Sequence, residues 1–242
     1  SVPSLGRNRK PTHLTLGLGS DSMRSNQMLA CFACVLVMYL CYFTSTMMSL
    51  ANPPPVPPPS RAPSPPPQTL RDTVKMVTRY GTIRWVMLNE HAPQHCARFA
   101  DLIEDGLFDG AIFYRGEPGF GLQTGPVTAD GERRASPYGN IPLEYGVLNK
   151  RGGINAARWD DPDSASTDFF ILLGDAPHLD KNANSPGYTV FGVVVEGLEL
   201  ADKMANLPAK DQPGMRMIAD PPLITEMVVE RNWPVPDSKL RL

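Results

Sequence analysis

Residues 69–242 predict a mainly-β domain, with eight short strands around two helices, arranged as a closed antiparallel barrel with helical plugs. Three observations predict it. Runs of β-branched and aromatic residues recur, cut apart by Gly and Pro. Only two stretches carry apolar residues at 3- and 4-residue spacing. The chain ahead of residue 69 differs in composition from the rest, so the folded part begins there. Periodicity alone does not separate a barrel from a β-sandwich, and both stay open on this ground.

Ahead of the folded part lie three short zones. Residues 1–27 form a polar tail with Arg7, Arg9, Lys10 and Arg24 against one acid, Asp21. Residues 28–51, MLACFACVLVMYLCYFTSTMMSLA, hold no charge. At about 1.5 Å per residue, some 20 such residues cross a bilayer core. Positive flanks stay cytosolic, which places the rest of the chain across the membrane. Three readings compete: a retained single-pass signal-anchor, with the domain in the secretory-pathway lumen; a secretory signal cleaved at Ser49-Leu50-Ala51, with Met23 as a natural start; and a plastid transit peptide with a thylakoid-lumen signal after it. Residues 52–68, NPPPVPPPSRAPSPPPQ, read as a polyproline II linker.

In the folded zone, VKMVTRYGTIRWVML (74–88) reads as two strands joined at Tyr80-Gly81. APQHCARFADLIEDG (92–106) is a helix: Pro93 sits in its first turn, Phe99, Leu102 and Ile103 share a face, and Gly106 closes it. Short strands are expected at 111–115, 119–124, 153–158, 167–173 and 188–195. GLELADKMAN (197–206) is a second helix, stopped ahead of Pro208. LITEMVVERN (223–232) is a last strand.

Composition excludes several function classes. A net charge of -2 gives no basic field for nucleic acid. No repeat of 20 to 50 residues is visible. Three of the four cysteines, Cys31, Cys34 and Cys41, lie in the apolar run, so Cys96 has no partner for a disulfide framework in the folded part. The CxxC spacing of Cys31 and Cys34 falls in lipid-like surroundings. His91 and His95 are four apart but lack a third ligand and the Glu of a zincin motif, so no metal is expected. DKNANSPGYTVF (180–191) starts like a calcium loop and fails at Ser185 and Phe191. WDDPDS (159–164) reads as a solvated acidic turn. There is no sign of oligomerisation, and a monomer is expected.

The stretch FYRGEPGFGLQTG (113–125) is different. It sets an arginine among aromatics and carries it through a Gly-rich turn to Phe120 and Gln123. Burying a guanidinium beside phenylalanines is unfavourable unless something uses it. FYRGEPGFGLQTG, GGINAAR, STDFFILL, HLD and YTVFGVVVEG succeed one another in that order. Together they resemble the cyclophilin-type peptidyl-prolyl cis-trans isomerases, over about residues 72–235. The resemblance implies an eight-stranded antiparallel barrel capped by two helices, no cofactor, and proline-containing polypeptides as substrates. It implies that Arg115 is the catalytic arginine and that Gln123 holds it. Phe120, Phe170 and Leu179 fall on the family's proline pocket, and Ala157, Arg158 and Tyr188 line its substrate groove. Phe113 and Phe169 are expected to face the core; Phe169 and Phe170 have opposite parity on one strand, so only one of the two can face the groove.

Three positions depart from the family pattern. Gly121 replaces a bulky apolar residue, usually methionine. His178 stands where tryptophan is common. Asp168 stands where glutamine is usual; if it reaches Arg115 an ion pair forms that either orients the guanidinium or holds it away from the proline, and orientation with lowered activity is the expectation. Arg158, usually asparagine in the family, is expected to add little beyond charge at the rim. The first functional reading is a peptidyl-prolyl isomerase on a proline stalk. The second, favoured by the three departures, is a cyclophilin-fold binding module or chaperone for proline-containing segments.

Overall fold

The computed structural model describes residues 36–42, 68–210 and 213–240. The chain divides into two units, Ser1–Pro63 and Ser64–Leu242. In the first, residues 36–42 are helical. Among the described residues no helix is long and apolar enough to cross a membrane. The tail 1–27, the linker 52–68 save Gln68, and the apolar run 28–51 save residues 36–42 lie outside the described residues.

The second unit contains eight antiparallel strands. They are β1 (Gln68–Thr78), β2 (Gly81–Met87), β3 (Arg115–Glu117), β4 (Gly121–Thr124), β5 (Gly153–Ala156), β6 (Phe169–Leu172), β7 (Val190–Glu196) and β8 (Ile224–Pro236). Their order in the sheet is β3-β4-β6-β5-β7-β2-β1-β8. Two helices, α1 (Pro93–Glu104) and α2 (Leu198–Ala205), accompany the sheet. The β1–β2 turn is fixed locally. Thr78 Oγ1 accepts from the Tyr80 N–H at 3.1 Å and donates to the Gly81 carbonyl at 3.0 Å. Gly81 has a φ of 130° and lies under Leu200, whose Cδ1 would be 2.8 Å from a β-carbon, so only glycine fits.

Both helices match their expected spans within two residues. Proline in the first turn of α1 supplies a fixed φ where no N–H is needed. The carboxylate of Glu144 takes the place of a cap residue, accepting from the backbone N–H of Gln94 at 3.0 Å and of His95 at 2.9 Å. It also accepts the Nδ1–H of His95 at 2.7 Å. That ring is buried, and its Nε2 has no hydrogen-bond partner. A lone pair is cheaper to leave unpaired than an N–H, which assigns the proton to Nδ1. Burial is the largest influence on the His95 pKa and lowers it, so the ring is neutral. Burial alone would raise the Glu144 pKa, but the bonds from His95 and the helix N-terminus outweigh it and lower it.

The core is aromatic. Trp85, Phe99, Phe108, Phe113, Phe169 and Phe191 are all sequestered. Phe99 stacks on Phe191 at 4.4 Å and meets Phe169 edge-on at 5.7 Å, an arrangement that aromatic quadrupoles favour. Phe113 and Phe169 thus take the core positions expected of them.

The expected closure of the barrel does not occur. β3 and β8 stand at the two ends of the sheet without a ladder between them. Isolated bridges, Ile112↔Leu223 and Arg115↔Met217, span the seam. Two local facts explain this. β3 is only Arg115–Glu117, and the expected strand at 111–115 reduces to bridges at Ala111 and Ile112. Pro221 and Pro222 precede β8 and have no N–H to donate, although the Pro222 carbonyl accepts from Phe113 at 2.9 Å.

Candidate functional site

Register assembles the site. Arg115 on β3 faces Gln123 on β4, and Gln123 faces Phe170 on β6. Directly opposed residues share a face of the sheet, so these three side chains form one row. The next row on that face is Glu117, Gly121 and Leu172. Residues of opposite parity, Leu122, Phe169 and Ile171, belong to the main core. Phe170 and Leu172 instead form a second apolar cluster with Ala176. Phe120, Ala157, Leu179 and Tyr188 pack against it, partly exposed. Phe120 stacks over Phe170 at 6.3 Å and over His178 at 5.7 Å, and Tyr188 meets Phe170 edge-on at 6.4 Å. The result is a half-open apolar surface beside a guanidinium.

Every apolar residue expected in the groove therefore lies in one cluster. Reasoning from the sequence missed Leu172 and Ala176. Leu172 carries a signal, since it has the parity of Phe170; Ala176 carries none. His178 occupies an exposed 3-10 turn, Pro177–Leu179, and forms a rim through its stacking on Phe120. Gly121 is buried, with room for a β-carbon, which would meet the Ile171 carbonyl at 3.4 Å and Phe170 at 3.6 Å, ordinary contact distances.

Arg158 does more than add charge. Its guanidinium lies over the Tyr188 ring, 4.1 Å from the centroid, and donates to the carbonyls of Trp159 at 2.7 Å, Asp160 at 3.2 Å and Gly187 at 3.2 Å. It ties two loops that flank the groove and holds the tyrosine wall in place.

Arg115 is partly buried, with 27% of its side chain exposed. Nη1 donates to Gln123 Oε1 at 3.2 Å, while Nε and Nη2 reach Glu117 Oε1 at 3.4 and 3.5 Å. Glu117 also accepts from the Arg216 backbone at 3.2 Å, so its oxygen is shared. A guanidinium has five N–H donors, and these long contacts engage three of them.

The expected ion pair between Asp168 and Arg115 is absent; the acid beside Arg115 is Glu117. Its signal was available, because residues two apart on a strand share a face. Asp168 is satisfied elsewhere. Its Oδ1 accepts from the Tyr114 hydroxyl at 2.7 Å, and its Oδ2 from Arg133 Nη1 at 2.7 Å and Thr167 Oγ1 at 3.2 Å. Tyr114 in turn accepts from Gln123 Nε2 at 2.7 Å. Burial first, and then the Asp168 carboxylate, push the Tyr114 phenol upward, so it stays a neutral donor.

Comparison with known proteins finds relatives of this domain. The family model for cyclophilin type peptidyl-prolyl cis-trans isomerases matches residues 73–229. Peptidyl-prolyl cis-trans isomerase A of Dickeya dadantii is 32% identical over 154 residues, covering 63% of this chain and 81% of that protein. Human peptidyl-prolyl cis-trans isomerase-like 3 is 34% identical over 144 residues, covering 58% and 86%. The crystal structure of a cyclophilin type isomerase from Cryptosporidium parvum superposes with a TM-score of 0.55 at 22% identity, covering 67% of this chain and 99% of that one.

Proposed function

Because the chain belongs to the cyclophilin-type peptidyl-prolyl cis-trans isomerase family, and so interconverts X–Pro bonds in polypeptides, we propose that Arg115 supplies the charge that stabilises the twisted amide. Amide resonance sets a barrier of about 18–20 kcal/mol for that rotation. At the top of the barrier the prolyl nitrogen loses conjugation and regains a lone pair. A guanidinium N–H bonds that lone pair more strongly than it bonds the planar amide. Only such a difference accelerates the reaction. The cluster of Phe120, Phe170, Leu172 and Leu179 grips the proline ring. No nucleophile is required.

The observation that supports this reading is the row Arg115–Gln123–Phe170, which brings a charge with two uncommitted N–H donors to the edge of an apolar cluster. The test is exchange spectroscopy on an Ala-Pro peptide with the full chain. Arg115→Ala is expected to lower kcat about 10²–10³-fold, the range for deleting one donor to developing charge. Equal rates for the two proteins would leave a groove that only binds. A cyclophilin type isomerase from Cryptosporidium parvum has been crystallised in the presence of the dipeptide Ala-Pro, which makes that dipeptide a fitting first ligand here.

We further propose that residues 28–51 carry the domain to a membrane and across it, with residues 52–68 as a stalk of roughly 50 Å. The charge-free run and its basic N-terminal flank support this. Protease protection in microsomes, read together with the mass of the mature N-terminus, separates a retained anchor from cleavage after Ala51. The domain acts as a monomer in this reading, and light scattering on the detergent-solubilised chain checks it.

A further inference from the structure

Asp168 does not make the contact with Arg115 that its position in the sequence suggests, yet it is built in with care. Gly125 is buried, and a β-carbon there would lie 2.5 Å from the Asp168 Cγ and 3.0 Å from Oδ2, so the carboxylate fills the space that glycine leaves. Three donors, Tyr114, Arg133 and Thr167, converge on its two oxygens.

The polarity of the hydrogen-bond chain that starts there is forced. A carboxylate only accepts, so the Tyr114 hydroxyl must donate its one proton to Asp168. The tyrosine oxygen is then left as an acceptor, and Gln123 must present its amide nitrogen to it. The other end of that amide, Oε1, is thereby turned to Arg115 Nη1. Each step admits one direction. An amide at position 168 would not force it, because an amide can donate to the tyrosine as readily as accept from it. The tyrosine could then donate to Gln123 Oε1, and the Gln123 NH₂ would face the guanidinium, donor against donor.

We propose that Asp168 and Tyr114 are positioning residues: together they fix the orientation of the Gln123 amide, and through it the Arg115 guanidinium, with Arg133 anchoring the far end. This rests on the isomerase reading above. None of the three needs to touch substrate. The departure of Asp168 from the family's glutamine thus has a consequence: it converts an adaptable contact into a polarised relay.

The test uses the full chain and an Ala-Pro peptide. Tyr114→Phe keeps the ring and deletes the hydroxyl, and is expected to lower kcat about 5–10-fold with KM within about twofold, the effect of one lost hydrogen bond. Asp168→Asn is expected to do the same for a different reason. Arg133 draws the Asn oxygen, the Asn NH₂ turns to Tyr114, and the relay reverses. Adding Arg133→Met to Asp168→Asn frees that amide to turn back, and kcat is expected to recover at least about half of the loss. A purely structural role predicts the opposite, a double variant worse than either single one. The Nε–H resonance of Arg115 gives a readout independent of turnover: sharp in wild type, broadened in Tyr114→Phe, sharpened again in the double variant. Wild-type kcat in Tyr114→Phe, or no recovery in the double variant, overturns the relay while leaving Arg115 catalytic. If Arg115→Ala also turns over at the wild-type rate, the arginine reading falls and the relay falls with it.

Discussion

Replacing Gly125 by alanine tests the site without substituting any polar residue. Gly125 has no left-handed φ, so alanine is not strained by its backbone. Its methyl, however, would sit 2.5 Å from the Asp168 Cγ, and closer still to Oδ1. To bring even Cγ to ordinary contact at 3.4 Å the carboxylate must retreat by about 0.9 Å, and Oδ1 must retreat further. Oδ1 is also the acceptor of the Tyr114 proton, at 2.7 Å. A hydrogen bond stretched to about 3.6 Å or more is no longer one. Losing a hydrogen bond to a charged group in a part-buried site corresponds to about 2 kcal/mol. For a domain of this size that lowers Tm by about 4–8 °C. The isomerase rate should fall with it, by the same factor as in Tyr114→Phe, since both release the Gln123 amide. Differential scanning fluorimetry and peptide exchange on the full chain measure the two effects. A Tm within about 1 °C of wild type together with an unchanged kcat would refute the account, because the space taken by the carboxylate would then have no consequence.

The same geometry sets further outcomes. Gly121→Met is expected to fit, because its β-carbon meets only ordinary contacts. By covering about 25–30 Å² more of a proline ring it should lower KM about threefold, and a higher KM would show that the wall is already complete. Burial lowers the His95 pKa, so the unfolded chain binds a proton that the folded one refuses. Stability should therefore be full above about pH 6.5 and fall as the pH drops below it, in urea midpoints taken between pH 7.5 and 5.5; His95→Gln should flatten that slope. Cys96 is buried, and its thiol is pushed up to about 12 by desolvation. Peptide mapping after brief treatment with a thiol reagent at neutral pH should find it unmodified in the native chain and modified in denaturant.

How much of the fold and site is legible in the sequence differs by element. The strands with β-branched and aromatic runs, such as GTIRWVM in β2 and VFGVVVE in β7, appear where local preference and burial agree. Parity sets Phe169 and Phe170 on opposite faces, the resemblance says which of them faces the groove, and parity then carries Leu172 to the same side. The open seam is also legible: Pro221-Pro222 withholds donors where a closing ladder would run, a signal that the expectation of closure outweighs. Asp168 marks the limit. Its partners, Tyr114 and Arg133, lie 54 and 35 residues away. No periodicity links them, and the shortest link along the sequence, Thr167, is the weakest contact. The role of Arg158 escapes for a similar reason, since stacking on Tyr188 depends on two loops meeting in space.

The pairing of β1 with β8 also bears on how the protein is made. Val74 lies opposite Val229, and the register runs on to Gln68 opposite Pro236. While the chain is still on the ribosome, β1 can find only β2. Its other edge, with backbone groups unmet, must wait for a partner roughly 150 residues downstream, which at about 5–20 residues per second is on the order of ten seconds. An isomerase of peptide bonds thus spends its own synthesis with one strand edge bare until its last strand emerges.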